Sequence, residues 1–354
     1  MAKAGDQRIS DQQRITNEVE SQQMTSVDTS GIKDSGTLPQ AQDGMYKAAA
    51  SMNPKSHDSH PAGSNPSSLP EADAPSLPKV DTSNFPKADA LSPAETEAKA
   101  ETLAIGKTQL TFGKCFVLSI LAGMFIGFGA MFFCTFLGDA TLPFGVQRVI
   151  GGVCFCLGLV LVLCCGAELF TGNALMVCAL ASKRITVGAL IKNWIIVWFG
   201  NLVGALLVVF IVYMAHTGDM NGGNVASVMI STAVSKVTPD WITLFFRGIL
   251  CNTLVCLAVW IGFSARTVVD KVIGIILPIT AFVACGFEHC VANMFFLPMG
   301  LVLKNAGYES TVPTEALDFG SICYNLSAAT LGNIVGGMVL VGLAYWYVYH
   351  KKQS

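Results

Sequence analysis

Long apolar runs without charged residues dominate the chain from about residue 110 onward, whereas the first 90 residues are polar. A run of about 20 apolar residues is long enough to cross the hydrocarbon core of a bilayer as a helix. The pattern therefore predicts six membrane crossings, over residues 115–137, 148–181, 193–215, 244–265, 272–303 and 322–349.

Two of these crossings, 148–181 and 272–303, are too long for one straight helix. A helix of about 32 residues would measure roughly 48 Å, against a hydrocarbon core of about 30 Å. Each contains a similar polar interruption, since residues 165–173 read CGAELFTGN and residues 285–293 read CGFEHCVAN. We therefore expect both helices to break there, which is typical of membrane proteins with a solute site at mid-membrane.

A second match relates the two halves of the apolar region. Residues 200–204 read GNLVG and residues 332–336 read GNIVG, and this glycine spacing lets helix backbones approach closely in lipid. Three crossings in each half force the second half to enter the membrane from the opposite side. The sequence thus predicts an all-α integral membrane protein with an inverted 3+3 repeat, in which 109–215 and 241–350 are the repeats of a transmembrane domain spanning 109–350.

The remaining segments are predicted to lie outside the bilayer. Residues 1–90 hold most of the 14 prolines and no apolar run, so we expect a disordered tail. The Ser-Pro-Ala-Glu sequence at 92–95 is typical of a helix start and predicts an amphipathic, interfacial helix over 91–108. Residues 351–354 form a short C-terminus.

Basic residues flanking the crossings predict the orientation, because cytoplasmic loops carry an excess of Lys and Arg. Nine basic residues lie on one side of the predicted crossings and four on the other, which favours both termini in the cytoplasm. We expect a multi-pass plasma-membrane protein. The nine are Lys107, Lys114, Lys183, Arg184, Lys192, Arg266, Lys271, Lys351 and Lys352, and the four are Arg148, Lys236, Arg247 and Lys304.

Composition narrows the function. A net charge of −2 without a basic arm does not suggest nucleic-acid binding, and all 12 cysteines follow residue 110, in or beside apolar runs. Such cysteines are usually buried packing residues, so neither a disulfide scaffold nor a metal site is expected. No HExxH, Walker A or nucleophile-elbow motif occurs. We expect no enzymatic activity and no cofactor.

His289 is the one histidine of the five predicted at mid-membrane. Ionisable groups at that depth are costly and mark a solute pathway or a proton relay, although a neutral imidazole satisfied by a neighbour is the simpler interpretation. Thr171 occupies nearly the same place in the first copy. Its hydroxyl either faces the imidazole, giving a solute two hydrogen-bond partners, or stabilises its own helix.

Glu168 and Glu288 lie at equivalent positions of the two copies. They either handle protons or accept hydrogen bonds from the unpaired N–H groups at the start of the following half-helix. We favour the structural role, because a carboxylate in the pathway would repel an anion. Asn173 and Asn293 are expected to cap the half-helices in the same way.

Several ordered motifs resemble the formate-nitrite transporter family, over about residues 110–350. They are GFEH at 286–289, LFT at 169–171, KNW at 192–194, GNLVG at 200–204 and NM at 293–294. The resemblance implies an aquaporin-like fold with two interrupted helices, one pore per subunit and a pentameric assembly. It implies that the substrates are small monovalent anions.

The resemblance also implies roles for individual residues. His289 would be the central histidine and Thr171 the pore threonine, with Asn252, Asn333 and Lys236 as polar contacts of the solute. Hydrophobic constrictions would involve six residues that periodicity alone does not separate from lipid-facing ones: Phe155, Leu159, Leu169, Phe170, Val255 and Phe282.

The predicted function is pH-dependent, proton-linked transport of formate first, then nitrite, lactate and acetate. A bare carboxylate loses several kcal/mol of hydration in an apolar constriction, whereas the neutral acid loses far less, so proton transfer at or near His289 would lower the barrier. The alternatives are an aquaporin-like neutral-solute channel, which would need Asn-Pro-Ala where Asn173 and Asn293 stand, and a membrane enzyme, which would need clustered titratable groups at an interface.

Overall fold

The computed structural model describes residues 89–139 and 141–350, which all belong to a compact unit spanning Val80–Ser354. Most of the predicted tail and residues 351–354 lie outside the described residues. The described part is helical and contains no strand, as the apolar pattern predicts.

Eleven α-helices follow one another through this part of the chain. They are α1 (Pro93–Thr108), α2 (Phe112–Leu137), α3 (Phe144–Cys165), α4 (Val177–Ala181), α5 (Val187–Met214), α6 (Asn224–Val237), α7 (Trp241–Ser264), α8 (Val268–Ala284), α9 (Cys290–Asn305), α10 (Phe319–Val335) and α11 (Ala344–Tyr349). Short 3-10 helices cover Gly172–Met176, directly before α4, and Thr217–Asp219, and a π-helical stretch over Gly336–Leu343 joins α10 to α11.

Five helical segments have the length and apolarity of a membrane-crossing helix: α2, α3, α5, α7 and the continuous stretch Phe319–Tyr349. The sixth crossing is divided between α8 and α9, which are 17 and 16 residues long. After α3, the chain forms a second short apolar helix over Gly172–Ala181. The prediction of six crossings with two interrupted helices is therefore confirmed.

A glycine in a left-handed backbone conformation follows the end of the long helix at each interruption. Gly166 has φ +79° and Gly286 has φ +71°. Side chains with a Cβ rarely adopt such angles, so glycine is the residue that allows the chain to turn out of the helix there. The backbone then runs without helix until Gly172 in the first copy and Cys290 in the second.

A short helix precedes the long helices of each half, and the sequence pattern predicted only the first of the two. The capping box at Ser92 starts α1 as expected. Its counterpart α6 lies where no helix was predicted, because Ser, Thr and Lys interrupt its apolar residues. Helix α1 packs against the half-helix after the first break, and α6 packs against α9 after the second.

The two glycine-spaced motifs bring helix backbones into contact, as predicted. Gly204 of α5 faces the backbone of α2, where an added Cβ would overlap the carbonyl oxygen of Ile120. Gly332 of α10 faces α7 in the same way, at the carbonyl oxygen of Phe245. These contacts hold a matching helix pair together in each half.

Replacing Gly204 or Gly332 by Ala should lower the thermal unfolding temperature of the purified protein, because overpacking a close contact costs about 1–3 kcal/mol. Gly113→Ala is the matched control, since a Cβ at Gly113 meets nothing within 4 Å. Equal unfolding temperatures for all three variants in a detergent melt would contradict this packing.

Candidate functional site

The first break is held by a buried network of side chains around Glu168. Its Oε1 accepts a hydrogen bond from Lys107 Nζ at 2.7 Å and its Oε2 accepts one from Asn173 Nδ2 at 2.8 Å. Asn173 Nδ2 also donates to Asn193 Oδ1 at 2.9 Å. The carboxylate is thus neutralised by a lysine that comes from α1.

The second break repeats this network around Glu288. Lys236 Nζ of α6 lies 3.2 and 3.3 Å from the two carboxylate oxygens. Asn293 Nδ2 donates to Glu288 Oε2 at 2.6 Å and to Asn325 Oδ1 at 2.7 Å. Each residue has an equivalent in the first network, so the inverted repeat extends to individual hydrogen bonds.

Two buried asparagines pair the backbone groups that the breaks would otherwise leave unpaired. Asn201 accepts from the N–H of Phe170 at 2.9 Å and donates to the carbonyl of Glu168 at 2.9 Å. Asn333 accepts from the N–H of Cys290 at 2.9 Å and donates to the carbonyl of Glu288 at 2.8 Å. Both asparagines are fully buried.

These contacts refine the roles expected from the sequence. The partners of Glu168 and Glu288 are lysine and asparagine side chains rather than half-helix N–H groups. Helices α1 and α6 supply the lysines, and each asparagine follows its glutamate by five residues. Asn173 and Asn293 bind those carboxylates, and Asn333 braces a break. Asn252 Nδ2 donates to the carbonyls of Thr171 and Asn333, at 3.2 and 2.6 Å.

The two breaks meet at Thr171 and His289. Thr171 Oγ1 lies 3.0 Å from His289 Nε2, and both residues are buried, at 1% and 2% exposure. His289 caps α9, because its Nδ1 accepts from the N–H of Ala292 at 3.0 Å. A nitrogen that accepts carries no proton, so the proton of the neutral ring lies on Nε2 and is donated to Thr171.

A cavity of about 280 Å³ reaches His289 from one end of the helices. Its apolar wall includes Phe282, whose ring stacks on that of His289 at 5.8 Å, and Phe155, which meets Phe282 edge-on at 5.6 Å. Its charged wall comprises Arg148, Lys236, Arg247 and Glu288. Basic groups therefore outnumber acidic ones around this space.

A smaller cavity of about 40 Å³ lies beside the first break, at the opposite ends of α3 and α7. Helix α3 lines the larger cavity with Arg148 and the smaller one with Val162, and α7 lines them with Arg247 and Phe263. His289 lines the larger space and Gly172, next to Thr171, lines the smaller one. The Thr171–His289 pair therefore lies between the two cavities, and we call this pair the junction.

The six predicted constriction residues are all buried. Phe155 and Phe282 line the larger cavity and Leu169 lines the smaller one. The other three, Leu159, Phe170 and Val255, belong to the apolar core around the junction.

Comparison with known proteins fits this arrangement. A protein-family model described as "Formate/nitrite transporter" matches residues 94–347 of the chain. The chain belongs to the formate/nitrite transporter family. As a family member with several apolar crossing helices, it is an integral membrane protein with a role in anion transport.

Two relatives align with this chain over nearly their whole length. Formate channel FocA of Escherichia coli K12 is 42% identical over 274 residues, covering 75% of this chain and 96% of the relative. A probable formate transporter of Methanothermobacter thermautotrophicus is 38% identical over 278 residues, covering 74% of this chain and 98% of the relative.

Solved structures share the fold. A pentameric formate channel with formate bound has a TM-score of 0.63 and 40% identity, covering 68% of this chain and 98% of its own. An FNT family ion channel has a TM-score of 0.64 and 31% identity, covering 72% of this chain and 98% of its own.

Sequence reasoning gave no site role to Lys107, Asn193, Asn201 or Asn325. A signal was available for three of them, because an asparagine stands at the same distance upstream of the GNLVG and GNIVG asparagines in both halves. Lys107 carried no such signal. Its importance depends on how α1 folds back against the first break.

Replacing Lys236 by Met should destabilise the protein by about 3–5 kcal/mol, because it leaves the buried Glu288 carboxylate without its cation. The double variant Lys236→Met/Glu288→Gln should recover part of the loss. Thermal unfolding of the single and double variants in detergent measures this coupling.

Asp219→Asn is the control for that cycle, since it changes largely exposed contacts with His216 and Tyr308 and should cost less than about 1 kcal/mol. If the losses of stability in the single variants Lys236→Met and Glu288→Gln simply add up in the double variant, the assigned pair is contradicted.

Proposed function

We propose that this protein carries small monovalent anions across the membrane through one pore per subunit, with formate first and nitrite, lactate and acetate after it. The main support is the Thr171–His289 pair between two cavities that lie at opposite ends of the same helices. Formate leads because a similar channel is described with formate bound.

The lining of the larger cavity supports an anionic substrate. Arg148, Lys236 and Arg247 face this space together with Glu288, whose charge is already paired with Lys236. Helix α9 also begins beside the cavity, and the N-terminal end of a helix favours negative charge. An anion is therefore attracted to the entrance.

Beyond the entrance, the apolar walls favour the neutral acid. Phe155 and Phe282 narrow the space beside His289, and a carboxylate that leaves water there loses several kcal/mol of hydration. Formate takes up a proton supplied by the entry-side solution at this narrowing, crosses as formic acid and releases the proton into the solution on the far side. Transport is then proton-linked and speeds up as the pH on the entry side falls.

The central pair orients the acid rather than supplying its proton. Because His289 Nδ1 accepts from Ala292, the ring stays neutral with its proton directed at Thr171 Oγ1. The hydroxyl hydrogen of Thr171 is then free to donate to the passing carboxyl group. This hydrogen bond replaces part of the hydration that the solute loses.

The proposed assembly is a homopentamer in the plasma membrane, with both termini in the cytoplasm. The pentameric description of a similar channel supports the subunit number, and the excess of basic residues on one side supports the orientation.

Replacing Thr171 by Val should lower formate uptake into proteoliposomes by about 5- to 150-fold, since a buried donor left unsatisfied costs about 1–3 kcal/mol. Thr171→Ser should retain most uptake, because it keeps the hydroxyl. Thr135→Val is the matched control, since the Thr135 hydroxyl bonds to the carbonyl of Met131 in its own helix.

Uptake by the unmodified protein should rise as the outer pH falls, with formate competing better than nitrite, lactate or acetate. Uptake that ignores pH, or that is unchanged by His289→Ala, would overturn the proposed route. Flux of glycerol without flux of formate would instead favour a neutral-solute channel.

A further inference from the structure

A cluster of possible metal ligands lies where α1 meets the end of the final crossing, apart from the pathway residues. Glu97 and Glu101 are one helical turn apart on α1, and His350 follows α11. Glu97 and Glu101 each offer a carboxylate oxygen and His350 a ring nitrogen, and these atoms lie within 4.8 Å of one another. Ser182 and Arg184, which follow α4, also contact this cluster. Three separate parts of the chain therefore converge here.

The two carboxylates differ in how they are satisfied. Glu101 accepts from the hydroxyl of Ser182 and from Arg184 Nη1, the latter at 3.1 Å. Glu97 is only 3% exposed, and its Oε1 has no hydrogen-bond partner in the described part of the chain. His350 Nδ1 lies 3.9 Å from this oxygen, which is too far for a hydrogen bond.

A buried carboxylate oxygen in this state needs a cation or a proton. Glu97 Oε1 is therefore an unpaired, buried acceptor beside the Glu101 carboxylate and the His350 ring.

We propose that Glu97, Glu101 and His350 bind one divalent transition-metal ion of the zinc type. Two carboxylates and one imidazole suit zinc, and ligand atoms about 3.3 Å apart follow from metal–ligand bonds of about 2.0 Å in a tetrahedron. Here, His350 Nδ1 lies 3.2 Å from Glu101 Oε1 and 3.9 Å from Glu97 Oε1. One of these separations already matches that spacing, and all three atoms lie within 4.8 Å of one another.

The ligand spacing also explains why sequence analysis expected no metal. Glu97 and Glu101 supply the i, i+4 pair that helical zinc sites use, but the third ligand comes from the far end of the chain. The bound ion joins α1 to the end of the final crossing. This site does not depend on the proposed transport function, since its residues are distinct from the cavity walls.

Zinc binding to the full-length protein in detergent, measured by equilibrium dialysis with zinc chloride and metal analysis, tests the site. The unmodified protein should bind one zinc ion per chain more than Glu97→Gln or His350→Gln. The affinity at this site should fall by at least about 10-fold in each variant, the lower end of what even outer-shell changes cost. Measuring the difference between variants removes any contribution of the tail histidines His57 and His60.

His216→Gln is the matched control, because His216 also lies beside a carboxylate but is largely exposed and has one such neighbour. It should bind as much zinc as the unmodified protein. Equal zinc binding in all four proteins, or the same loss in His216→Gln, would overturn the site.

A second measurement needs no variant. Cobalt(II) bound to the unmodified protein should give the visible absorption of a tetrahedral site with nitrogen and oxygen ligands. A thiolate-to-cobalt charge-transfer band would assign the metal to cysteines and overturn the proposal, and so would the absence of any cobalt absorption.

Discussion

The structure depends on one constraint: a backbone N–H or C=O group inside a lipid bilayer must find a partner within the protein. Two of the membrane-crossing segments are interrupted and would leave such groups unpaired. Asn201 and Asn333 satisfy them, each accepting from one N–H group and donating to a carbonyl of the break. Without these side chains the broken helices would be more costly than continuous ones, and no polar junction would exist between the cavities.

Charge at the breaks follows the same logic. A glutamate within the membrane needs a cation nearby, and each half supplies one from a short helix, Lys107 from α1 and Lys236 from α6. The two halves are alike in these structural contacts and differ where the breaks meet. Thr171 stands on one side and His289 on the other, and this difference gives the junction a donor, an acceptor and a defined direction.

Much of the fold could be predicted from the sequence. Apolar runs located all six crossings, and the repeated Cys-Gly-x-Glu motif located both breaks, because Gly166 and Gly286 have backbone angles that favour glycine. Helix α6 was missed, since its polar residues weaken the apolar pattern. The hydrogen-bond partners of Glu168 and Glu288 in the structure also differ from those expected from the sequence. Asn173 and Asn293 lie five residues after the glutamates they bind, but the lysine donors are 61 and 52 residues away in the chain, and local geometry does not indicate them.

The sequence by itself determined the number of crossings, the positions of the breaks and the inverted relation of the halves, because these follow from local apolarity, glycine positions and an odd number of crossings per repeat. Only the tertiary structure decided which side chains pair. Lys107 and Glu168 are 61 residues apart, and Thr171 and His289 are 118 apart. Such pairs form because helix packing brings distant segments together, and apolar periodicity does not encode which polar atoms then lie within hydrogen-bonding distance.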